Sequence, residues 1–242
     1  IVRSMKWLPR SPRCTRLVVV SDVDSYLAGN GWGSRSFYTF VRSLVTFILL
    51  TYCRMRIHGR ENIPKGGAFV LAPVHRSYID TPIASACTRR RMRFMGKDSL
   101  WKKRSIGWTL SALGAFPVTR GSADRQAVTR GIGVLQSGEP LVLFPEGERK
   151  SGPIVEPLMD GAAYIACKAG VPIIPVGIGG SERAMGKGAK FMWPHKVVVI
   201  IGEPIAAPES VNGRMPRAAV KDVSTLLHSR LQELFDEAMR RA

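Results

Sequence analysis

The hydrophobic positions of this chain fall into two regimes that meet near residue 57. Between Phe37 and Ile57 the sequence FYTFVRSLVTFILLTYCRMRI is apolar almost throughout, interrupted by Arg42 and closed by Arg54 and Arg56. Its unbroken stretch, Leu44 to Cys53, reaches about half a bilayer crossing at ~1.5 Å per helical residue. That length, with cationic flanks, predicts a helix lying in one leaflet over residues 37–57. A buried helix at the start of a folded domain gives the same pattern, because periodicity separates the two poorly.

After residue 57 the period changes. Short runs rich in β-branched residues predict strands at Ala68–Ala72, Met92–Met95, Phe116–Thr119, Leu141–Phe144, Ile173–Ile178 and Lys196–Ile201. Helical patterns fall between them, at Thr81–Thr88, Ser105–Leu113, Ala123–Gln136 and Asp160–Lys168. A last helix starts near Pro216, where Val220, Val223, Leu226, Leu227, Leu231, Leu234 and Phe235 line one face. Strands alternating with helices predict an α/β fold: a mostly parallel sheet flanked by helices, with right-handed crossovers and the interfacial helix in front. Residues 58–242 read as one domain, since no repeat or Pro-rich linker divides them. Residues 1–36 carry scattered Arg, Pro, Gly and Ser, end in GNGWGSR, and read as disordered or as an extension, with Met5 a candidate start. The apolar run Leu17–Val20 is too short for a secretory signal.

Charge narrows the partners. Lys and Arg number 36 against 18 acidic residues, a net +18 that calls for anionic partners such as nucleic acid, anionic lipid or phosphorylated substrates. The cluster Arg89, Arg90, Arg91 and Arg93 would suit a nucleic-acid binder. No zinc-finger spacing, RNA-recognition signature or heptad zipper accompanies it, so nucleic acid is not the expected partner. Cys14, Cys53, Cys87 and Cys167 form no CxxC pair, and His58, His75, His195 and His228 show no HExxH spacing, so no metal site is predicted.

The candidate chemistry begins at LAPVHRSYID. His75 follows a predicted strand, and Asp80 lies five residues on, at the start of the next helix. Loops at the carboxyl ends of parallel strands are where α/β folds carry reactive groups. An imidazole there can take a proton from an attacking alcohol, while a carboxylate on its other nitrogen fixes the tautomer. By itself an HxxxxD spacing is a frequent coincidence. Three further segments accompany it in order: GAFPVTR, FPEGER and VPIIPV.

Together HRSYID, GAFPVTR, FPEGER and VPIIPV resemble the four motifs of the glycerol-phosphate and lysophosphatidic acid acyltransferase family, over roughly residues 55–205. The resemblance is nearest to the bacterial 1-acylglycerol-3-phosphate acyltransferases. It implies an enzyme moving a fatty acyl group from acyl-CoA or acyl-carrier protein to the sn-2 hydroxyl of a lysophospholipid acceptor, with phosphatidic acid as product. It implies no cofactor, an anionic membrane surface as partner, and a peripheral or monotopic place on the cytoplasmic face. Carried over residue by residue, His75 is the general base and Asp80 its orienting partner. Arg120, Arg149 and Lys97 contact the acceptor phosphate, Lys97 by matching a lysine often found before the second motif. Glu146 and Gly147 complete the substrate-binding loop, Glu146 by orienting Arg149 or the FPEG turn, and Gly147 by allowing close backbone approach. Backbone N–H groups near Gly147 or in the His75 loop are candidates for the oxyanion. Ser77 is expected to cap the loop-to-helix turn. No GxSxG elbow is present, in keeping with direct attack by the acceptor hydroxyl. Two positions depart from the family pattern: Val74 replaces a common Asn, and Glu148 replaces the Thr of FPEGTR. Glu148 sets a carboxylate near the phosphate site and opens the alternative of another lysolipid acceptor.

Overall fold

The computed structural model describes residues 31–118, 125–208 and 215–242. In chain order the elements are α1 (Trp32–Tyr52), β1 (Arg56–His58), β2 (Val70–Pro73), α2 (Asp80–Ala86), β3 (Arg93–Lys97), α3 (Arg104–Ala112), β4 (Ala115–Val118), α4 (Arg125–Gln136), β5 (Leu141–Val142), α5 (Gly161–Ala169), β6 (Ile173–Gly179), α6 (Ser181–Met185), β7 (Val198–Ile201) and α7 (Arg217–Arg241). The strands form one sheet in the order β1-β7-β6-β2-β5-β3-β4. All pairings are parallel except β6 with β7. The expected mostly parallel α/β architecture is therefore present.

Topology decides where a site can form. From β2 the chain moves toward β4 through α2 and α3, then turns back through α4 and α5 to β6. Right-handed crossovers running in opposite directions place their helices on opposite faces of the sheet. The packing agrees: α1 contacts α2 and α3, whereas α5 contacts α4 and α7. Strands β2 and β5 are neighbours whose outgoing connections leave to opposite faces, which opens a crevice at their carboxyl ends.

Central strands were easy to anticipate, since all seven residues of β6 and all four of β2 are buried. Helix α7 lies directly on β6. A Cβ added to Gly177 would sit 2.3 Å from the Leu234 carbonyl oxygen, and one on Gly179 would sit 2.3 Å from that of Ala238. Only glycine lets the helix backbone approach so closely.

Three boundaries differ from expectation. Helix α1 starts at Trp32, because Gly33 and Ser34 are absorbed in its first turn instead of ending a loop. The supposed boundary at residue 57 cuts through β1, an edge strand too short and too charged to produce an apolar run. Cys53 and Met55, assigned to the interfacial segment, are core residues. Helix α1 itself is two-sided: Tyr38 and Leu49 are buried while Phe40, Leu44 and Phe47 stand in solvent. No helix among the described residues is long and apolar enough to cross a membrane. Residues 1–30 lie outside the described part.

Candidate active site

Strand β2 ends at Pro73, and Val74 extends its pairing by donating its N–H to the Val176 carbonyl at 3.1 Å. The next residues turn sharply around one carboxylate. Asp80 Oδ2 accepts the backbone N–H groups of Arg76 and Ser77, each at 2.6 Å, and lies 3.0 Å from His75 Nδ1. Asp80 is fully buried, and 12 % of the His75 side chain reaches solvent. An ionised carboxylate only accepts hydrogen bonds, so Nδ1 carries the ring proton and Nε2 keeps its lone pair. The ring is also stacked on Phe144, with centroids 4.0 Å apart. The turn thus holds the two side chains in contact.

The FPEGER loop follows β5 on the neighbouring strand and is tied to the His75 loop by backbone. Lys150 donates its N–H to the His75 carbonyl at 2.9 Å, and His75 donates its own N–H to Glu146 Oε2 at 3.1 Å. Gly147 turns this loop with φ +73°, and a Cβ there would lie 2.6 Å from Met159 Sδ. Both the left-handed backbone and the crowding require glycine.

Glu146 departs from its expected role. It is 3 % exposed, and its oxygens are taken by the Arg76 guanidinium at 2.7 and 2.9 Å, by the His75 N–H, and by the Glu156 N–H at 3.2 Å. These bonds orient the His75 loop, and no bond to Arg149 is among them. Arg76, which the sequence reading passed over, is the missing member. It is 1 % exposed, donates to the carbonyls of Gly152 and Ile154 at 3.1 and 2.9 Å, and lies over the Phe235 ring of α7 at 5.0 Å.

The Arg149 guanidinium carbon lies over the Tyr78 ring, 3.8 Å from its centroid, a cation–π contact that holds it beside the HRSYID segment. Lys97 is exposed at the carboxyl end of β3. Arg120 and Thr119 lie outside the described residues, just beyond the end of β4 at Val118. Since β2, β5, β3 and β4 are parallel and adjacent in that order, His75, Arg149 and Lys97 occupy one edge of the sheet. Glu148 is mostly exposed and bonds Lys150 at 3.0 Å, so its carboxylate is turned toward a neighbouring cation. That hydrogen bond is also what raises the Lys150 pKa.

Four of the backbone N–H groups in these two loops are already engaged. The N–H groups of His75, Arg76 and Ser77 are committed to carboxylates, and that of Gly147 donates to the Phe144 carbonyl. Ser77 Oγ is likewise used, donating to the Met185 carbonyl at 2.6 Å while accepting from the Ile79 N–H. The segment VPIIPV forms the start of β6 and is core.

Two other features were read from composition. Arg93 is buried against Glu139, Arg90 lies over Phe69, and Arg91 donates to the Ala112 carbonyl, so most of that basic cluster braces the fold. Cys53, Cys87 and Cys167 are free and buried, and burial pushes the Cys87 thiol up to about 12. Among the described residues no group of three or more His, Cys, Asp or Glu gathers to hold a metal.

A family model described as Acyltransferase matches residues 54–179, more than half of the 242-residue chain. A 1-acyl-sn-glycerol-3-phosphate acyltransferase of Streptococcus pneumoniae is 29% identical over 209 residues, 85% of this chain and 75% of that protein. A protein of the same name from Bacillus subtilis is 28% identical, covering 69% of this chain and 82% of that one. Among solved structures, a 1-acyl-sn-glycerophosphate acyltransferase from Thermotoga maritima is 25% identical with a TM-score of 0.68, covering 87% and 86% of the two chains.

Proposed function

Because this chain belongs to the acyltransferase family, we propose that it esterifies the sn-2 hydroxyl of 1-acylglycerol-3-phosphate, taking the acyl group from acyl-CoA or acyl-carrier protein and giving phosphatidic acid. His75 Nε2 takes the hydroxyl proton as the alcohol oxygen attacks the thioester carbonyl. Asp80, across the ring, stabilises the imidazolium that forms. The tetrahedral intermediate collapses by breaking the C–S bond, and the imidazolium returns its proton to the departing thiolate. No acyl-enzyme is needed.

The observation that carries this reading is the 3.0 Å contact of His75 Nδ1 with a carboxylate held by two backbone N–H groups, at the crevice between β2 and β5. Arg149, Lys97 and Arg120 recognise the acceptor phosphate, for which a guanidinium on a rigid aromatic support is well suited. The acceptor lies in an anionic bilayer, with the exposed apolar side of α1 in the interface. In support of this, the names of the curated relatives state this acceptor, and the chain carries net +18. A thioester assay with labelled acyl-CoA or acyl-carrier protein and a panel of lysolipids tests the proposal. Preferred use of lysophosphatidic acid is expected. Preference for a zwitterionic lysolipid would transfer the reading to another acceptor, consistent with a carboxylate at Glu148, and failure with every hydroxyl acceptor would refute it.

A further inference from the structure

The segment joining α6 to β7 stands apart from the sheet and carries an unusual surface. Residues 183–196, RAMGKGAKFMWPHK, contain Arg183, Lys187, Lys190 and Lys196 and no acidic residue. Phe191 and Trp193 are 74 % and 67 % exposed. A single exposed aromatic needs no explanation, but two on one basic loop invite one.

These aromatics also have neighbours. Tyr52, at the end of α1, donates its hydroxyl to the Met192 carbonyl at 3.1 Å, and Cys53 Sγ lies 3.9 Å from Met192 Sδ. The loop therefore packs against the carboxyl end of α1, a helix on which Phe40, Leu44 and Phe47 are exposed. In the two segments that meet here, residues 52–56 and 183–193, the exposed charges are Arg54, Arg56, Arg183, Lys187 and Lys190, all of one sign. Two copies of the chain pressed together through this face would set those charges against each other. A bilayer containing anionic lipid meets them with opposite charge and accepts Phe and Trp at headgroup depth.

We propose that the 186–196 loop is a second membrane-inserting element, which places Phe191 and Trp193 in the interface of an anionic bilayer beside α1. Its base is stitched to the catalytic turn: the Met185 carbonyl accepts both the Ser77 hydroxyl at 2.6 Å and the Tyr78 N–H at 3.2 Å. Inserting the loop thus sets the height of the His75 crevice above the lipid, where a bilayer-borne acceptor can enter sideways. This rests on the proposal that the acceptor is a membrane lipid, and the experiment reads the two separately.

The full chain and a Phe191→Ser/Trp193→Ser variant are sedimented with vesicles of equal phosphatidylglycerol and phosphatidylcholine. Loss of two interfacial aromatics is expected to lower partitioning at least about tenfold. Lys187→Ala/Lys190→Ala is expected to lose about fivefold per lysine at low salt, and nothing on pure phosphatidylcholine. Acyl transfer to a short-chain, monomerically soluble lysophosphatidate should stay within about twofold of the parent chain, while transfer to vesicle-borne acceptor falls with binding. Vesicle partitioning within twofold of the parent chain for both variants overturns the proposal, whatever the acyl-transfer result. So does an equal loss with soluble and vesicle-borne acceptor, or a change in oligomeric state by light scattering with vesicle binding intact.

Discussion

Replacing Arg76 with Met gives the sharpest test of how the catalytic loop is built. The methionine keeps most of the aliphatic stem but removes the guanidinium, which lies over Phe235, from a site where both its side chain and that of Glu146 are 1 % exposed. Glu146 then holds a buried charge with no cationic partner, and the Gly152 and Ile154 carbonyls lose their donors. Removing one partner of a buried ion pair costs about 3–5 kcal/mol. That is a large part of the roughly 5–15 kcal/mol by which a domain is stable. At about 2–4 °C per kcal/mol for a chain of this size, Tm should fall by about 6–20 °C. Thermal melts followed by circular dichroism, with urea titrations alongside, measure it. Because Glu146 also holds the His75 N–H, kcat measured well below the new Tm should drop more than KM for the acceptor rises. The double variant Arg76→Met/Glu146→Leu removes both charges, and should be less damaging than the sum of the single changes by about 1 kcal/mol or more. An Arg76→Met chain melting within about 2 °C of its parent, or strict additivity in the cycle, would refute the account of this pair.

Three further outcomes are expected. His75→Ala should lower turnover at least about 10²-fold in a chain that melts normally, and Asp80→Asn should cost less while removing the charge that stabilises the imidazolium; near-normal turnover of purified His75→Ala would exclude a general base there. Arg149→Ala or Lys97→Ala should raise the acceptor concentration needed for half-maximal rate, each losing a charge-assisted contact worth about 1.5–3 kcal/mol, and equal damage to donor saturation would count against a phosphate contact. Glu148→Thr frees Lys150 from its partner and should leave the fold and the reaction intact while improving use of lysophosphatidic acid over zwitterionic lysolipids; complete loss of activity in a folded chain would mean that Glu148 takes part in the chemistry.

The elements legible in the sequence were those whose signal is local. β2 and β6 are buried throughout and appear as apolar runs, and α7 keeps an apolar stripe because only one side of it packs. β1 escaped notice because an edge strand of three residues, Arg56–His58, has only its middle side chain partly covered. α6 is five residues long, less than two helical turns, so no period could show it. The His75–Asp80 pair was visible because both members lie within one turn. Glu146 and Arg76 are 70 residues apart in sequence and meet only because β2 and β5 are neighbours in the sheet. The same topology explains why Glu146 faces Arg76 instead of Arg149, three residues away along its own loop. A sequence also does not say which N–H groups a carboxylate has already claimed, as Asp80 and Glu146 claim those of residues 75–77.

The way α7 lies on β6 also sets an order on biosynthesis. All four motif segments have been made once residue 176 is added, yet the helix that closes over Gly177 and Gly179 runs to Arg241, and the ring beneath Arg76 belongs to Phe235. A nascent chain stopped short of that residue has every reacting side chain but an unsupported catalytic loop. The apolar face of its β6 strand, paired at both edges by β2 and β7, stays uncovered and can associate with other chains. A nonsense mutation ahead of the Phe235 codon would therefore act as a loss of function although every motif is intact. Chaperone demand during synthesis should peak while residues 180–235 are being added.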